Sequence, residues 1–228
     1  MNEHHVIPIG SPWWFAGWGI LVLQLLVAYA VSTYASDPVR RRFEATWGIA
    51  IVGSYALVQG FLVWKGQYTL SNSLPIHLCS FSRVLAFLAL TLRKKWAFYP
   101  LFFWGIMGGM HALLTPENTF GDNPWTFAEY FFGHSAVIAV PIYLMAFRGR
   151  TLERWTWLKM WGWTNALVVP VFVLSWLVDG NYMYLRERPI VDNPFIVGEW
   201  PWYVVGFELL ALLHFVLFTA IAYKKVQR

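Results

Sequence analysis

Apolar residues run along this chain in long blocks, broken at intervals by short polar and basic punctuation. A bilayer-spanning helix needs about 20 mostly apolar residues, and seven stretches meet that requirement, near residues 13–34, 45–64, 74–92, 96–114, 127–147, 155–178 and 202–223. The predicted fold class is therefore all-α, a polytopic membrane protein forming a seven-transmembrane-helix bundle. No internal repeat or composition shift divides it, so residues 1–228 are read as a single domain.

Composition supports that reading. Of 228 residues, 58% are hydrophobic, 19% aromatic and only 13% charged, more apolar surface than one soluble core of this length buries. The net charge of +5 would suit a nucleic-acid partner if it were evenly spread, but its distribution makes it a topology signal instead. Arg40–Arg42, Arg93–Lys95, Arg148, Arg150, Arg154, Lys224, Lys225 and Arg228 follow the odd-numbered spans; Lys65, Arg186 and Arg188 hold the other side. Twelve against three, in strict alternation, predict an external N-terminus and a cytoplasmic C-terminus. No basic cluster or small-residue cleavage site accompanies the first span, so it is expected to remain as a helix rather than be removed as a signal peptide. The short loops are compatible with a bacterial plasma (inner) membrane. Tryptophans near the span ends form the expected interfacial belt.

Against this background the polar residues within the spans stand out. On a third helix running inward from Leu74, His77 and Cys79 would lie roughly 5–8 Å and Arg83 roughly 13 Å below the outer end. His111, Glu129, His134 and Glu208 also fall in the predicted outer half, while Asn165 and His214 lie deeper. Charged groups in hydrocarbon require partners or a watery cavity, so these residues are expected to share one polar pocket opening outward. Cys79, Ser82 and Arg83 lie on one helical face, at spacings of three and four residues. Gly105, Gly108 and Gly109 would permit close helix packing. His4 and His5 read as solvated tail, and Lys159 as a snorkelling surface cation.

Three chemistries fit such a pocket. A thiolate stabilised by a nearby cation, with a histidine to move its proton, makes an acyl-transfer centre. An arginine with nearby glutamate and histidine also suits a transporter or small-ligand binding protein. His77, His111 and His134, with Glu129, could instead make a zinc-dependent hydrolase, although no HExxH spacing occurs. Bis-histidine haem fits less well, because the histidines do not pair at matched depth. The lone cysteine excludes an intramolecular disulfide.

LPIHLC at 74–79, FFWGIMGGMHALLTP at 102–116, FFGHS at 131–135 and NYMYLRERP at 181–189, in that order, resemble the YwaF-type integral membrane proteins, the family that includes transmembrane protein 164. The resemblance runs from the second span to the seventh. It implies a seven-helix bundle and acyl transfer on phospholipids or lysophospholipids, with Cys79 as nucleophile and His134 as base. The family's pattern often has an acidic residue directly after the cysteine, where this chain has Ser80; if that acid orients the base, Glu129 or Glu208 must substitute for it, or the bacterial-type members work differently. His77, Ser82 and Asn165 are then candidates for oxyanion donors or orienters, and Arg83 for holding the thiolate or a lipid phosphate, with His111 lining the site. Membrane lipids are the expected partners, with no nucleic acid and no soluble cofactor.

Overall fold

The computed structural model describes residues 5–118, 123–190 and 196–226. His4, Arg228, the side chains of Lys224 and Lys225, and residues 119–122 and 191–195 of the two long external connections lie outside the described residues. The helices are α1 (Pro12–Tyr34), α2 (Asp37–Trp64), α3 (Leu78–Leu90), α4 (Lys95–Leu114), α5 (Pro124–Arg148), α6 (Thr156–Leu177) and α7 (Trp202–Val226). All but α3 are long and apolar enough to cross a membrane. By chain contacts the molecule divides into two compact units. One contains the chain up to Tyr68 together with Leu78–Arg150; the other contains Thr69–His77 together with the chain from Thr151 onward.

Two spans differ from their expected extents for local reasons. The second helix begins at Asp37 rather than at 45, because Pro38 in its first turn needs no amide partner and charge alone does not stop a helix. Its arginines 40–42 are thus helical, with Arg40 paired to Asp37 at 2.7 Å. The third helix covers 13 residues rather than 74–92, roughly 20 Å of rise against the ~30 Å of a hydrocarbon core. Ahead of it the chain is committed to turns: the Ser73 hydroxyl accepts the Thr69 amide, Pro75 disfavours helix before it, and the Tyr182 hydroxyl accepts the Leu74 amide. Behind it, Arg93 takes a left-handed conformation at φ 54° and turns the chain out.

In the first unit α5 is the central helix and packs against α1, α2, α3 and α4. Its N-terminus is capped by the Asn123 side chain, and it ends at Gly149, whose φ of 62° suits a residue without Cβ. α4 is not a uniform helix. After Pro100, which lacks an amide proton, residues Leu101–Gly105 form a wide turn with i→i+5 bonding, a device for adjusting register inside a helix. Gly105 and Gly109 then lie flat against the backbone carbonyls of Val137 and His134 on α5.

The N-terminal segment is not a loose tail. His5–Val6 (β1) pairs antiparallel with Glu117–Asn118 (β2), the Ile7 amide donates to the Pro116 carbonyl at 2.9 Å, and the His5 ring packs on Phe127. At the other end of the unit, buried Glu44 of α2 pairs with Arg148 of α5 and accepts the Tyr143 hydroxyl at 2.7 Å.

The second unit packs α6 on α7 and is closed by the loop after α6. Its small core is Val171, Tyr182 and Leu185, with Leu74 and Ile76 against it. Arg186 fastens the loop, lying over the Trp176 ring at 4.3 Å and donating to Ser175 O, Gly180 O and Asp179. Lys159 pairs at the surface with Glu153 at 3.0 Å.

Removing the Glu44 carboxylate leaves Arg148 and Tyr143 without their shared acceptor, a loss of about 1–3 kcal/mol. Glu44→Leu is expected to lower the thermal midpoint of detergent-solubilised protein by several degrees, whereas exposed Arg41→Gln leaves it unchanged. Equal midpoints for the two variants would contradict this account.

Candidate functional site

The site is organised by a charge that cannot be neutralised. Arginine stays protonated in proteins, and Arg83 on α3 is only 4% exposed. Its guanidinium forms an ion pair with Glu129 of α5, in which Nη1 donates to Oε1. The same carboxylate oxygen accepts the Ser54 hydroxyl of α2 at 3.3 Å. The Tyr55 ring faces the guanidinium at 4.8 Å, within the range of cation–π attraction. On α5, Gly133 lies directly beneath the guanidinium, where any Cβ would overlap it. Glu129 is thus the carboxylate that pairs with Arg83, and Glu208 belongs to the second unit.

Cys79 lies in the first turn of α3, one turn before Arg83. The helix begins at Leu78, so Arg83 is only about 7.5 Å along its axis. The Cys79 sulfur faces Gly108 of α4, where an added methyl carbon would come within 2.9 Å of it. The next residue, Gly109, faces α5 instead, and a methyl there would come within 2.8 Å of the His134 carbonyl oxygen. Adjacent helical residues differ by about 1.5 Å in height and 100° in direction. The Cys79 sulfur and the His134 backbone therefore flank α4 at the same level.

His134 is held through one ring nitrogen. Its Nδ1 lies 2.7 Å from the Tyr130 carbonyl, which can only accept, so Nδ1 carries a proton. The orienting contact expected from a carboxylate is made here by a backbone carbonyl one turn earlier. The Tyr130 ring also lies against the imidazole, tilted by 44° with centroids 4.2 Å apart, and its hydroxyl donates to the Ala112 carbonyl at 3.0 Å, tying α5 to α4. His111 follows Gly108 by three residues, on the same face of α4.

The remaining predicted residues occupy other settings. Ser82 is fully buried, and its proton goes to the Leu78 carbonyl at 2.8 Å, within its own helix. His77, Asn165 and Glu208 belong to the second unit. His77 precedes α3; its Nδ1 accepts the Met183 amide at 3.3 Å, and its ring meets Tyr182 edge-on at 5.2 Å. This loop holds left-handed backbone at Asp179, Met183 and Tyr184, with φ of 50°, 55° and 56°. Glu208 accepts Trp161 Nε1 and Asn165 Nδ2, each at 3.1 Å, through one oxygen. Asn165 gives a second proton to the Trp161 carbonyl at 3.0 Å, so its donors are spent within the unit. Among the described residues no three His, Cys, Asp or Glu side chains converge as metal ligands would, so the three-histidine arrangement open to the sequence is not formed.

Sequence reasoning missed Tyr55, Gly133 and Tyr130. Tyr55 reads as one more aromatic in an apolar span. Gly133 had a signal, a small residue directly before the motif histidine, and Tyr130 had another, its spacing of four residues from His134.

The tight seat of Arg83 on Gly133 gives a direct check. Gly133→Ala is expected to displace the guanidinium and cost roughly 1–3 kcal/mol, seen as a lower thermal midpoint. Gly53→Ala on α2, where no atom lies within 4 Å of the new carbon, serves as the silent control. An unchanged midpoint for Gly133→Ala would contradict the packing.

The comparisons with known proteins now bear on this geometry. No curated protein and no solved structure matches the chain. The pattern of the TMEM164 family, by contrast, matches residues 5–219, taking in α1–α6, most of α7 and every candidate residue above. The chain belongs to the TMEM164 family.

Proposed function

We propose that the protein is a membrane acyltransferase, or with water as acceptor a lipid hydrolase, acting on the acyl chains of phospholipids and lysophospholipids through Cys79 and His134. The observation that carries this reading is the pairing of positions beside α4: the Cys79 sulfur against Gly108 and, at the same level, the backbone carbonyl of His134 against Gly109, with the Nδ1 of that histidine held by the Tyr130 carbonyl. A histidine so held offers Nε2 as a base.

In the proposed cycle His134 Nε2 takes the proton of the Cys79 thiol and the sulfur attacks an acyl ester carbonyl. The ester C–O bond breaks, the departing lysolipid oxygen takes the proton back from the imidazolium, and the acyl group remains as a thioester. A lysolipid hydroxyl then gives its proton to Nε2 and attacks the thioester, which restores the thiol. Arg83, one turn from the sulfur, favours negative charge developing there, and Glu129 keeps the pair neutral overall. His111, on the Gly108 face, lines the substrate path. His77, Asn165 and Glu208 are proposed to order the second unit rather than to touch reacting atoms.

The same reading takes α3 as a short seventh membrane helix, the N-terminus as external and the bilayer as a bacterial inner membrane, on the strength of the basic clusters. Cys79 then lies toward the outer leaflet, at the end of α3 away from Arg93–Lys95, so a phospholipid acyl donor suits the site better than a cytosolic one. No soluble cofactor is required. A carrier reading draws on the buried Arg83–Glu129 pair, and the two separate experimentally.

Protein in nanodiscs is supplied with isotope-labelled phospholipid and unlabelled lysophospholipid. Wild type is expected to form a hydroxylamine-sensitive acyl adduct on Cys79 and to exchange label. Cys79→Ala is expected to abolish both, and His134→Gln to reduce exchange by about 10²–10⁴-fold. Full exchange by Cys79→Ala would overturn the proposal. Loss of ion-coupled transport on Glu129→Gln, with Cys79→Ala still transporting, would favour a carrier.

A further inference from the structure

The first two turns of α2 carry a charge arrangement that topology alone does not require. Asp37, Arg40, Arg41 and Glu44 recur at spacings of three and four residues, so they share one face of the helix. That face continues into Trp47, Gly48 and Ile51, which are buried. A basic rim that only marks the cytoplasmic side is met by exposed arginines. Arg40 instead lies in line with the packed side of α2, its side chain 22% exposed. Its Nη2 donates to Asp37 at 2.7 Å, while its Nε is buried and has no hydrogen-bond partner among the described residues. The Nε–H of a guanidinium donates and never accepts, so the missing partner is an acceptor.

The charges nearby say which kind. Glu44, one turn further along the face, already holds Arg148 of α5 and the Tyr143 hydroxyl. With Glu44 matched by Arg148 and Asp37 by Arg40, the arginines 41, 42 and 150 remain in excess at this end of α2 and α5. Asp37 itself is 74% exposed, and exposed ion pairs of this kind hold weakly, so a second anion can exchange with it. The spanning helices α1 and α2 meet the membrane boundary here, and Tyr34 and Val39, 80% and 50% exposed, offer apolar surface beside the arginines.

We infer that the lead of α2 is a binding site for an anionic phospholipid, whose phosphate oxygens accept from Nε and Nη2 of Arg40 while Arg41 and Arg150 add attraction. A phosphate offers several oxygens to the guanidinium fork, where Asp37 fills only part of it. A zwitterionic phospholipid brings its own cation, which opposes the surplus arginines, so the site prefers a head group without one. Basic pockets between membrane helices take anionic head groups in this way. The site is distinct from the Cys79 centre: Thr91, just past the end of α3, donates to the Ala45 carbonyl at 3.3 Å, and Cys79 is twelve residues earlier, roughly 18 Å along the axis. It therefore stands or falls independently of acyl transfer.

The test is native mass spectrometry of the full chain in detergent, exchanged against equimolar phosphatidylglycerol and phosphatidylcholine of the same acyl composition. Wild type is expected to retain phosphatidylglycerol about tenfold over phosphatidylcholine, and Arg40→Gln to bring the ratio near one. Arg42→Gln removes the same charge two residues away, on an exposed position about 160° round the helix, and is expected to leave most of the preference. Arg40→Lys keeps the charge without the fork, is expected to fall well below wild type, and carries the test if Arg40→Gln does not fold. No preference in wild type, equal losses in Arg40→Gln and Arg42→Gln, or an undiminished preference in Arg40→Lys overturns the inference. Displacement of the bound lipid by inorganic phosphate at equal concentration would assign the site to a free anion and likewise overturn it.

Discussion

A single buried guanidinium dictates the arrangement of the first unit. Arg83 cannot shed its charge, and it sits among helices whose composition provides little water. It requires a carboxylate within reach, an aromatic face and a cleared volume, and three elements supply them: Glu129, Tyr55 and Gly133. Glu129 and Gly133 are four residues apart on α5, so satisfying the charge fixes the rotation of α5 against α3. Once that rotation is set, His134 next to Gly133 has its direction set as well. A buried ion pair adds little net stability against an apolar replacement, but losing one partner is severe, which makes it a strong constraint on register.

The glycines of α4 complete the arrangement by omission. Where Gly105 and Gly109 touch α5 the backbone carbonyls of Val137 and His134 occupy the volume a side chain would need, and at Gly108 the Cys79 sulfur does so. In lipid, where apolar side chains gain nothing by leaving the solvent, such close backbone approach is a principal source of helix association. The wide turn at Leu101–Gly105 lies immediately before these contacts and presents the glycines to α3 and α5.

Much of the architecture could be read from hydropathy, because a bilayer forces each crossing to declare itself as a long apolar run. The short α3 could not, since the turn before it depends on Tyr182, more than 100 residues distant in sequence. The helical lead of α2 was concealed by its arginines, which signal a membrane boundary more strongly than a helix end. Within the site, one-turn spacing on α3 put Cys79 and Arg83 near one another, while the choice of Glu129 over Glu208 is a matter of tertiary packing. Asn165 and Glu208 were legible only as polar residues in apolar spans; their mutual hydrogen bond and the shared bond to Trp161 come from the packing of α6 on α7.

The small ribbon between His5–Val6 and Glu117–Asn118 has a bearing on biogenesis. Membrane helices emerge from the ribosome in order, and β1 precedes α1 while its partner strand follows α4. The N-terminal residues must therefore wait through four helices before they can dock. Closure of the ribbon is a late event: it awaits synthesis of the chain through α4 and thereafter fastens the first helix to the end of the fourth.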